Sequence, residues 1–460
     1  MRYIAVDIGA SGGKVLAAEK RSDGFIDIKK IKSFKNIPVY RSGFLTWDIE
    51  KIFSSILDAL KEAGEADYVL VDTFGVDFVL LDNADSLVLP AVSYRDERTK
   101  SVKDTLDAKM LYERTGIQKQ RFNTIYQLMS IKEENPEALE KAETLLFIAD
   151  YINFLLTGKK MCEYTFASTS NMINLETRAW DDEVIKSAGL PRSIFLPLSE
   201  PGSIVGPVSD EVAKEIGYKP TVMLSPSHDT ASAVYASLAS DDCAFVSSGT
   251  WSLVGALLDY PVTDERSYEE NLTNEASPDS KIRLIKNIMG TWLLQKLKSE
   301  YPEGTSYDEI MRNAMDAEDK GRIDVSSDRL LNPKTISEEI DQMLLENGYS
   351  ETEDLAETAK VIYLSLAEYT VRMIDKLEEI TGKSFSTVNI VGGGAKDRYL
   401  CDLIAMLSRK KIIAGPYDAT AIGSLLFALV KTGEMKEEEK MNVIRSNFGY
   451  TSYKREGEGV

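Results

Sequence analysis

Histidine is nearly absent from this chain: 460 residues contain one, His228, and the cysteines number three, Cys162, Cys243 and Cys401. One imidazole and three scattered thiols cannot assemble a usual zinc site. An odd, sparse cysteine set excludes a disulfide scaffold and fits a reducing compartment. Basic residues are in deficit, 54 Lys and Arg against 74 Asp and Glu, for a net charge of −20. A field of that sign repels polyanions, which argues against a nucleic-acid or anionic-membrane surface; a local pocket can still hold a small anion. Long apolar runs are missing as well. The stretch 422–430 is about half the length that a membrane span needs. The N-terminus passes from Met-Arg directly into an alternating strand, with no apolar leader core. The expectation is a cytoplasmic protein without a membrane segment.

What remains is an ordinary globular composition, 43% hydrophobic and 28% charged. At about 150 residues per domain, two large domains are the simplest division. Residues 3–8, 14–18 and 25–34 alternate as three strands, and the short Gly, Ser and Asp turns between them force antiparallel pairing. Apolar residues at helical spacing predict a helix over 46–63, stopped by Gly64. Strands at 68–72 and 78–82 follow. A second start of the same kind lies at 244–246 and 251–257, around Ser247-Ser248-Gly249-Thr250. Both places set a Gly/Ser/Thr turn between two apolar strands, which suggests two halves of one topology. The second half continues with a helix over 358–380, a strand at 388–391, Gly392-Gly393-Gly394, a helix over 397–407, a strand at 411–414 and a helix over 419–430. The alternation marks an α/β protein. The linker is expected near 236–243, dividing the chain into 1–238 and 239–460. From Glu434 onward the chain is highly charged and reads as a solvated helix and tail.

Three Gly-rich turns carry the first chemical signal: residues 9–13, 247–250 and 392–394. Glycine lets backbone N–H groups approach an anion closely, and Ser or Thr hydroxyls add donors. Neither the P-loop nor the dinucleotide spacing is present. A nucleotide would therefore rest between two hairpins and a glycine run. Asp7 ends the first strand. It reads either as a carboxylate accepting turn N–H bonds or as one orienting a metal-bound water near phosphates. Ser227-His228-Asp229-Thr230 follows an apolar strand over 221–224 and opens a small-residue helix. Adjacent Ser, His and Asp do not form a triad, because neighbouring side chains do not converge. Asp229 reads either as the N-cap of that helix or as a general base kept ionised by the helix N-terminus. Trp47, Phe74, Phe78, Tyr94, Phe122 and Tyr126 read as core aromatics, or as faces on which a sugar stacks.

Taken in order, these turns resemble the FGGY family of sugar kinases within the actin/Hsp70/hexokinase superfamily. The resemblance runs from AVDIGASGGKV (5–15) to GPYDATAIG (415–423) and includes DTFGVDFVLLD (72–82), SHDTASAV (227–234), VSSGTWSLVG (246–255) and LTNEA (272–276). The blocks FNTIYQL (122–128) and KNIMGTWLLQ (286–295) are similar to those of members acting on L-rhamnulose. The resemblance implies a two-domain actin-like ATPase fold with a central cleft. Its N-terminal domain would bind sugar and its C-terminal domain ATP. By position it assigns ATP contacts to Ala10, Ser11, Gly12, Gly13, Lys14, Thr250, Gln295 and Gly394. It assigns sugar contacts to Gly75, His228, Asp229, Thr230 and Asn287, the general base to Asp229, and a water-bridged metal to Asp7. The implied cofactors are ATP and Mg²⁺, and the chain would act as a monomer or small homo-oligomer. Three departures stand out. Gly12-Gly13-Lys14 replaces the usual Ser-Gly-Arg and loses a bidentate fork, Phe74 replaces Trp, and GPYDATA departs from the common GPxEAS. The implied reaction is ATP-dependent phosphorylation of L-rhamnulose at its 1-hydroxyl. The alternatives are another ketose such as L-fuculose or xylulose, or a non-catalytic ATP-binding switch.

Overall fold

The computed structural model describes residues 1–21, 23–331 and 333–454. The end of the charged tail, 455–460, lies outside the described residues. The chain packs into two compact units. The first comprises Met1–Ala236, Leu258–Leu284 and Ala419–Asn447, and the second Ser237–Leu257, Ile285–Asp418 and Phe448–Val460. Two later segments thus join the first unit although they follow the expected linker in sequence.

In the first unit β1 (Arg2–Ile8), β2 (Gly12–Lys20) and β3 (Ile26–Lys35) form an antiparallel meander. The helix α1 (Ile49–Ala63) follows, and then β4 (Tyr68–Thr73), which pairs parallel to β1. Further on, β5 (Ile204–Pro207) and β6 (Thr221–Met223) complete a sheet of order β5-β6-β4-β1-β2-β3. The helix α1 starts three residues later than its apolar spacing suggests. Thr46 is held in a short strand paired with Val39, and the Asp48 side chain caps the helix through Lys51 N. Ile52, Ile56 and Leu60 on its inner face are at most 2% exposed and share one apolar cluster with Val69 and Val71 of β4. Each such burial contributes about 2 kcal/mol. The predicted strand over 78–82 forms as Phe78–Leu81. It leaves the main sheet to pair with Thr144–Phe147.

The helix α2 (Asp229–Tyr235) closes the N-terminal part of the first unit and meets the helix Ala419–Lys431 closely. A Cβ on Gly423 would lie 1.8 Å from the Ser232 carbonyl oxygen, so only glycine permits this approach.

In the second unit β7 (Cys243–Ser248) and β8 (Trp251–Leu258) form an antiparallel hairpin. After them come β9 (Ile282–Met289), α3 (Trp292–Lys298), α4 (Leu355–Thr381) and β10 (Thr387–Val391), the last parallel to β7. Then come α5 (Arg398–Ser408), β11 (Lys411–Ala414) and β12 (Thr451–Tyr453), giving the order β9-β8-β7-β10-β11-β12. Both sheets therefore share one plan. A hairpin is flanked by two strands parallel to its first strand (β1 with β4 and β6, β7 with β10 and β11), and an antiparallel edge strand follows. Ser247 and Ser248, expected in a turn, extend β7 instead, which shortens that turn to Gly249-Thr250. The charged tail is not all solvated. Ile444 is fully buried, and Thr451–Tyr453 pairs with Lys411–Ala414. No helix among the described residues is long and apolar enough to cross a membrane.

Candidate active site

The parallel register of β1 and β4 sets Asp7 beside Asp72, and the antiparallel register of β1 and β2 sets Asp7 beside Lys14. Residues opposed across neighbouring strands share a face. One row of the first sheet therefore carries Lys14, Asp7 and Asp72. Asp72 is fully buried and accepts a hydrogen bond from Ser424 Oγ at 2.5 Å. Burial first, then the charges of Asp7 and Asp229, push its carboxyl well above the usual range. Ser424 also lies 2.7 Å from Ser225 Oγ and 2.9 Å from Ser232 Oγ. This buried hydroxyl chain ties the start of α2 to the carboxylate row.

His228, and not Asp229, occupies the N-cap position of α2, and its side chain makes no capping bond. Asp229 is the first residue of the helix. Its Oδ1 accepts from the Thr230 hydroxyl at 3.0 Å and lies 3.4 Å from His228 Nε2. Its side chain is 31% exposed, so the carboxylate can be reached from solvent. Gly75 belongs to the same group: a Cβ there would lie 3.1 Å from His228 Nε2 and 3.5 Å from Thr169 Oγ1. Glycine at 75 thus keeps space in front of the imidazole. Gly75, His228, Asp229 and Thr230 are brought together, as the sequence reading expects.

Three buried charged residues that the sequence reading did not single out frame this group. Glu163 accepts the N–H of Ser227 at 3.1 Å, and burial pushes its carboxyl up to about 7. Glu275 Oε2 lies 3.2 Å from His228 Nδ1, and Arg283 Nη2 lies 3.2 Å from the same oxygen. Arg283 is 0% exposed. The available signal was an arginine inside the apolar strand segment 282–285, where a charge needs a partner.

The first Gly-rich turn is tighter than expected. Gly9 N–H donates to the Gly12 carbonyl at 3.0 Å, and Gly12, Gly13 and Lys14 already belong to β2. Their pairing with Phe34, Ser33 and Lys35 explains both glycines: a Cβ would meet the Phe34 carbonyl oxygen at 2.9 Å from Gly12 and the Phe34 ring at 2.1 Å from Gly13. Ala10 is buried and Ser11 exposed at the tip. Asn36, missed in the sequence, braces the turn by donating Nδ2–H to the Gly9 carbonyl at 2.9 Å.

The second unit gathers Thr250, Gln295 and Gly394 around Thr291. Thr291 donates through N at 2.9 Å and through Oγ1 at 2.7 Å to the Gly249 carbonyl, and Gly290 N donates to the Thr250 carbonyl at 3.1 Å. Gln295 Nε2 donates to Thr291 Oγ1 at 3.1 Å. Gly392 has φ 87° and Gly394 packs on Ser248, where a Cβ would fall 2.0 Å from Oγ. Three loops without bulky side chains thus converge and leave backbone N–H groups near one another, a form suited to phosphate oxygens. Asn287 also lies in the second unit, half-buried on β9.

Residues 2–236 match the N-terminal domain, and residues 244–432 the C-terminal domain, of the FGGY family of carbohydrate kinases. The chain belongs to that family. It is a carbohydrate kinase. It is 36% identical over 459 residues to a protein named rhamnulokinase from Oceanobacillus iheyensis, covering 98% of this chain and 97% of the relative. It is also 36% identical to the rhamnulokinase of Bacillus subtilis, covering 97% of this chain and 94% of that one. Among solved structures, a ligand-bound xylulose kinase from Lactobacillus acidophilus superposes with TM-score 0.79 at 16% identity, covering 98% of this chain and 93% of that one. Plasmodium falciparum glycerol kinase with ADP superposes with TM-score 0.76 at 13% identity, covering 99% and 94%. These distant likenesses show the fold, which is the two-domain actin-like one.

Mg²⁺ is tested against the donor set. Asp7 and Asp72 offer hard carboxylate oxygens in adjacent register, which suits this ion. Among the described residues no group of three or more His, Cys, Asp or Glu is arranged to hold a metal alone. The residues fit an ion that keeps water and phosphate oxygens as its other ligands.

Proposed function

We propose that this kinase transfers the γ-phosphoryl group of ATP to the 1-hydroxyl of L-rhamnulose, giving L-rhamnulose 1-phosphate and ADP. The observation that carries this reading is near-full-length identity of 36% to proteins named rhamnulokinase. The arrangement of Gly75, His228, Asp229 and Thr230 supports it. In this reading Asp229 takes the proton as the sugar oxygen bonds to phosphorus and the bond to the ADP oxygen breaks. Late proton transfer suits the loose transition state, in which a base mainly orients its nucleophile. Gly75, His228 and Thr230 shape the sugar side, with Asn287 as a further sugar contact. Ala10, Ser11, Gly12, Gly13 and Lys14 of the first hairpin, with Thr250, Gln295 and Gly394, receive ATP through backbone N–H groups and the Lys14 ammonium. Mg²⁺, when bound near Asp7 through water, would neutralise charge on the phosphate oxygens. The sugar-binding part is 1–238 and the nucleotide-binding part 239–460.

The test is ADP release with Mg-ATP and matched concentrations of L-rhamnulose, L-fuculose, D-xylulose and glycerol. L-rhamnulose should turn over fastest. Faster turnover of another sugar would replace the substrate, and slow ATP hydrolysis unaffected by any sugar would point to a nucleotide switch instead.

A further inference from the structure

We propose that the buried Arg283–Glu275 pair keeps a proton on His228 Nε2, so that Nε2–H and the Thr230 hydroxyl both engage Asp229 Oδ1 and leave Oδ2 to take the proton of the sugar hydroxyl. This deepens the assignment of Asp229 as the base and rests on it.

Three charged groups surround the imidazole. Arg283 Nη2 lies 3.4 Å from Nδ1 with hydrogen-bond alignment, Glu275 Oε2 lies 3.2 Å from Nδ1, and Asp229 Oδ1 lies 3.4 Å from Nε2. A guanidinium can only donate and an ionised carboxylate can only accept. With the ring proton on Nδ1 alone, an N–H would confront the Arg283 N–H and a bare Nε2 would confront the Asp229 carboxylate. With the proton on Nε2, Nδ1 accepts from Arg283 and Nε2–H points its charge toward Asp229. The one adverse contact left, Nδ1 with Glu275 Oε2, is offset by Arg283 Nη2, which lies 3.2 Å from that oxygen. A second proton on Nδ1 would suit Glu275 and would still leave Nε2–H in place. Both acceptable states therefore carry a proton on Nε2.

Burial enlarges the difference. Arg283 is 0%, Glu275 4% and His228 7% exposed, and misdirected contacts cost more where water cannot intervene. Arg283 is fixed by donating Nε–H to the Ala276 carbonyl at 3.0 Å. Burial works against the Glu275 carboxylate, yet His228 and Arg283 hold it below the usual carboxylate range, so it remains a charged partner for the guanidinium. Every recorded contact of Asp229 falls on Oδ1. Arg283 and Glu275 are positioning residues, since they act on the base through the ring.

His228 is the only histidine in the chain, so a ¹⁵N-histidine-labelled sample gives the signals of one imidazole. At neutral pH, without substrate, long-range ¹H–¹⁵N spectra should show a protonated Nε2. A bare Nε2 with the proton on Nδ1 overturns the proposal. The second measurement uses the double variant Glu275→Leu with Arg283→Leu, which removes both charges together and avoids an uncompensated buried ion. Its ring should populate both tautomers. Its kcat should fall about tenfold or more, with the sugar KM within about threefold of wild type. Wild-type kcat, or a proton still confined to Nε2, refutes the inference. Because the spectrum is read without sugar, its result stands apart from the outcome of the substrate panel.

Discussion

Glu163 Oε2 accepts the backbone N–H of Ser227 at 3.1 Å, so a buried carboxylate fixes the chain one residue before the His228–Asp229 pair. The same side chain accepts from Thr165 N at 2.7 Å and Phe166 N at 2.9 Å. Burial nevertheless raises its pKa from 4.5 to about 7, with Asp150 fully buried beside it. A carboxyl with a raised folded value binds its proton more tightly in the native state. Its share of stability is therefore greatest below about 4.5 and is lost as pH rises toward about 7, amounting to about 3 kcal/mol. Glu163→Gln should flatten the decline in unfolding free energy between pH 5 and pH 8. Denaturant titrations at the two pH values test this; equal declines in both proteins would refute it.

Asp229→Asn keeps the shape of the side chain and an oxygen for Thr230, but removes the basic carboxylate. Turnover should drop at least about a hundredfold, with the thermal midpoint nearly unchanged. A folded variant with wild-type turnover would remove Asp229 from the chemistry.

Gly75→Ala puts a methyl group 3.1 Å from His228 Nε2 and 3.3 Å from Cδ2. The ring must give by a few tenths of an ångström. Stability should change by no more than about 1 kcal/mol. The kcat/KM for the sugar should fall about tenfold while the KM for ATP stays put. Steady-state kinetics with each substrate varied in turn would show whether the loss lies on the sugar side.

Gly394→Ala places Cβ 2.0 Å from Ser248 Oγ and 2.8 Å from Ser248 Cβ. The variant should lose about 1–3 kcal/mol and bind ATP more weakly. Adding Ser248→Gly removes both clashes and should recover most of the ATP affinity, although a glycine inside β7 itself costs about 0.5–1 kcal/mol. ATP titrations of the two variants measure the rescue. Without any recovery, the packing of Gly394 on Ser248 would not be what shapes the loop.

Much of the fold lies in local pattern. Alternation within residues 3–8 and 14–18, a short turn between them and helical spacing over 49–63 produce the first hairpin and α1, because pairing and amphipathic burial act over neighbouring residues. The second hairpin and the Gly392 turn were legible for the same reason. Boundaries moved where a distant partner intervened. Gly12 and Gly13 entered β2 because β3 pairs with them, and residues 451–453 became a strand because Lys411–Ala414 offered an edge.

The site divides in the same way. By itself the sequence determined the candidate group at Gly75 and His228 to Thr230, the three Gly-rich turns and the membership of a kinase family, since these are carried by contiguous residues. It could not rank cap against base for Asp229, and it gave no sign that Glu163, Glu275 and Arg283 surround His228. Tertiary structure alone decided those points. Asp229 stands inside the helix with His228 at the cap, and the segment Leu258–Leu284 packs with the first unit, bringing a guanidinium and a carboxylate to the ring from 47 and 55 residues away. The physical reason is that burial makes a charge costly unless partnered, and the partner is chosen by packing in space, which spacing along the chain does not record.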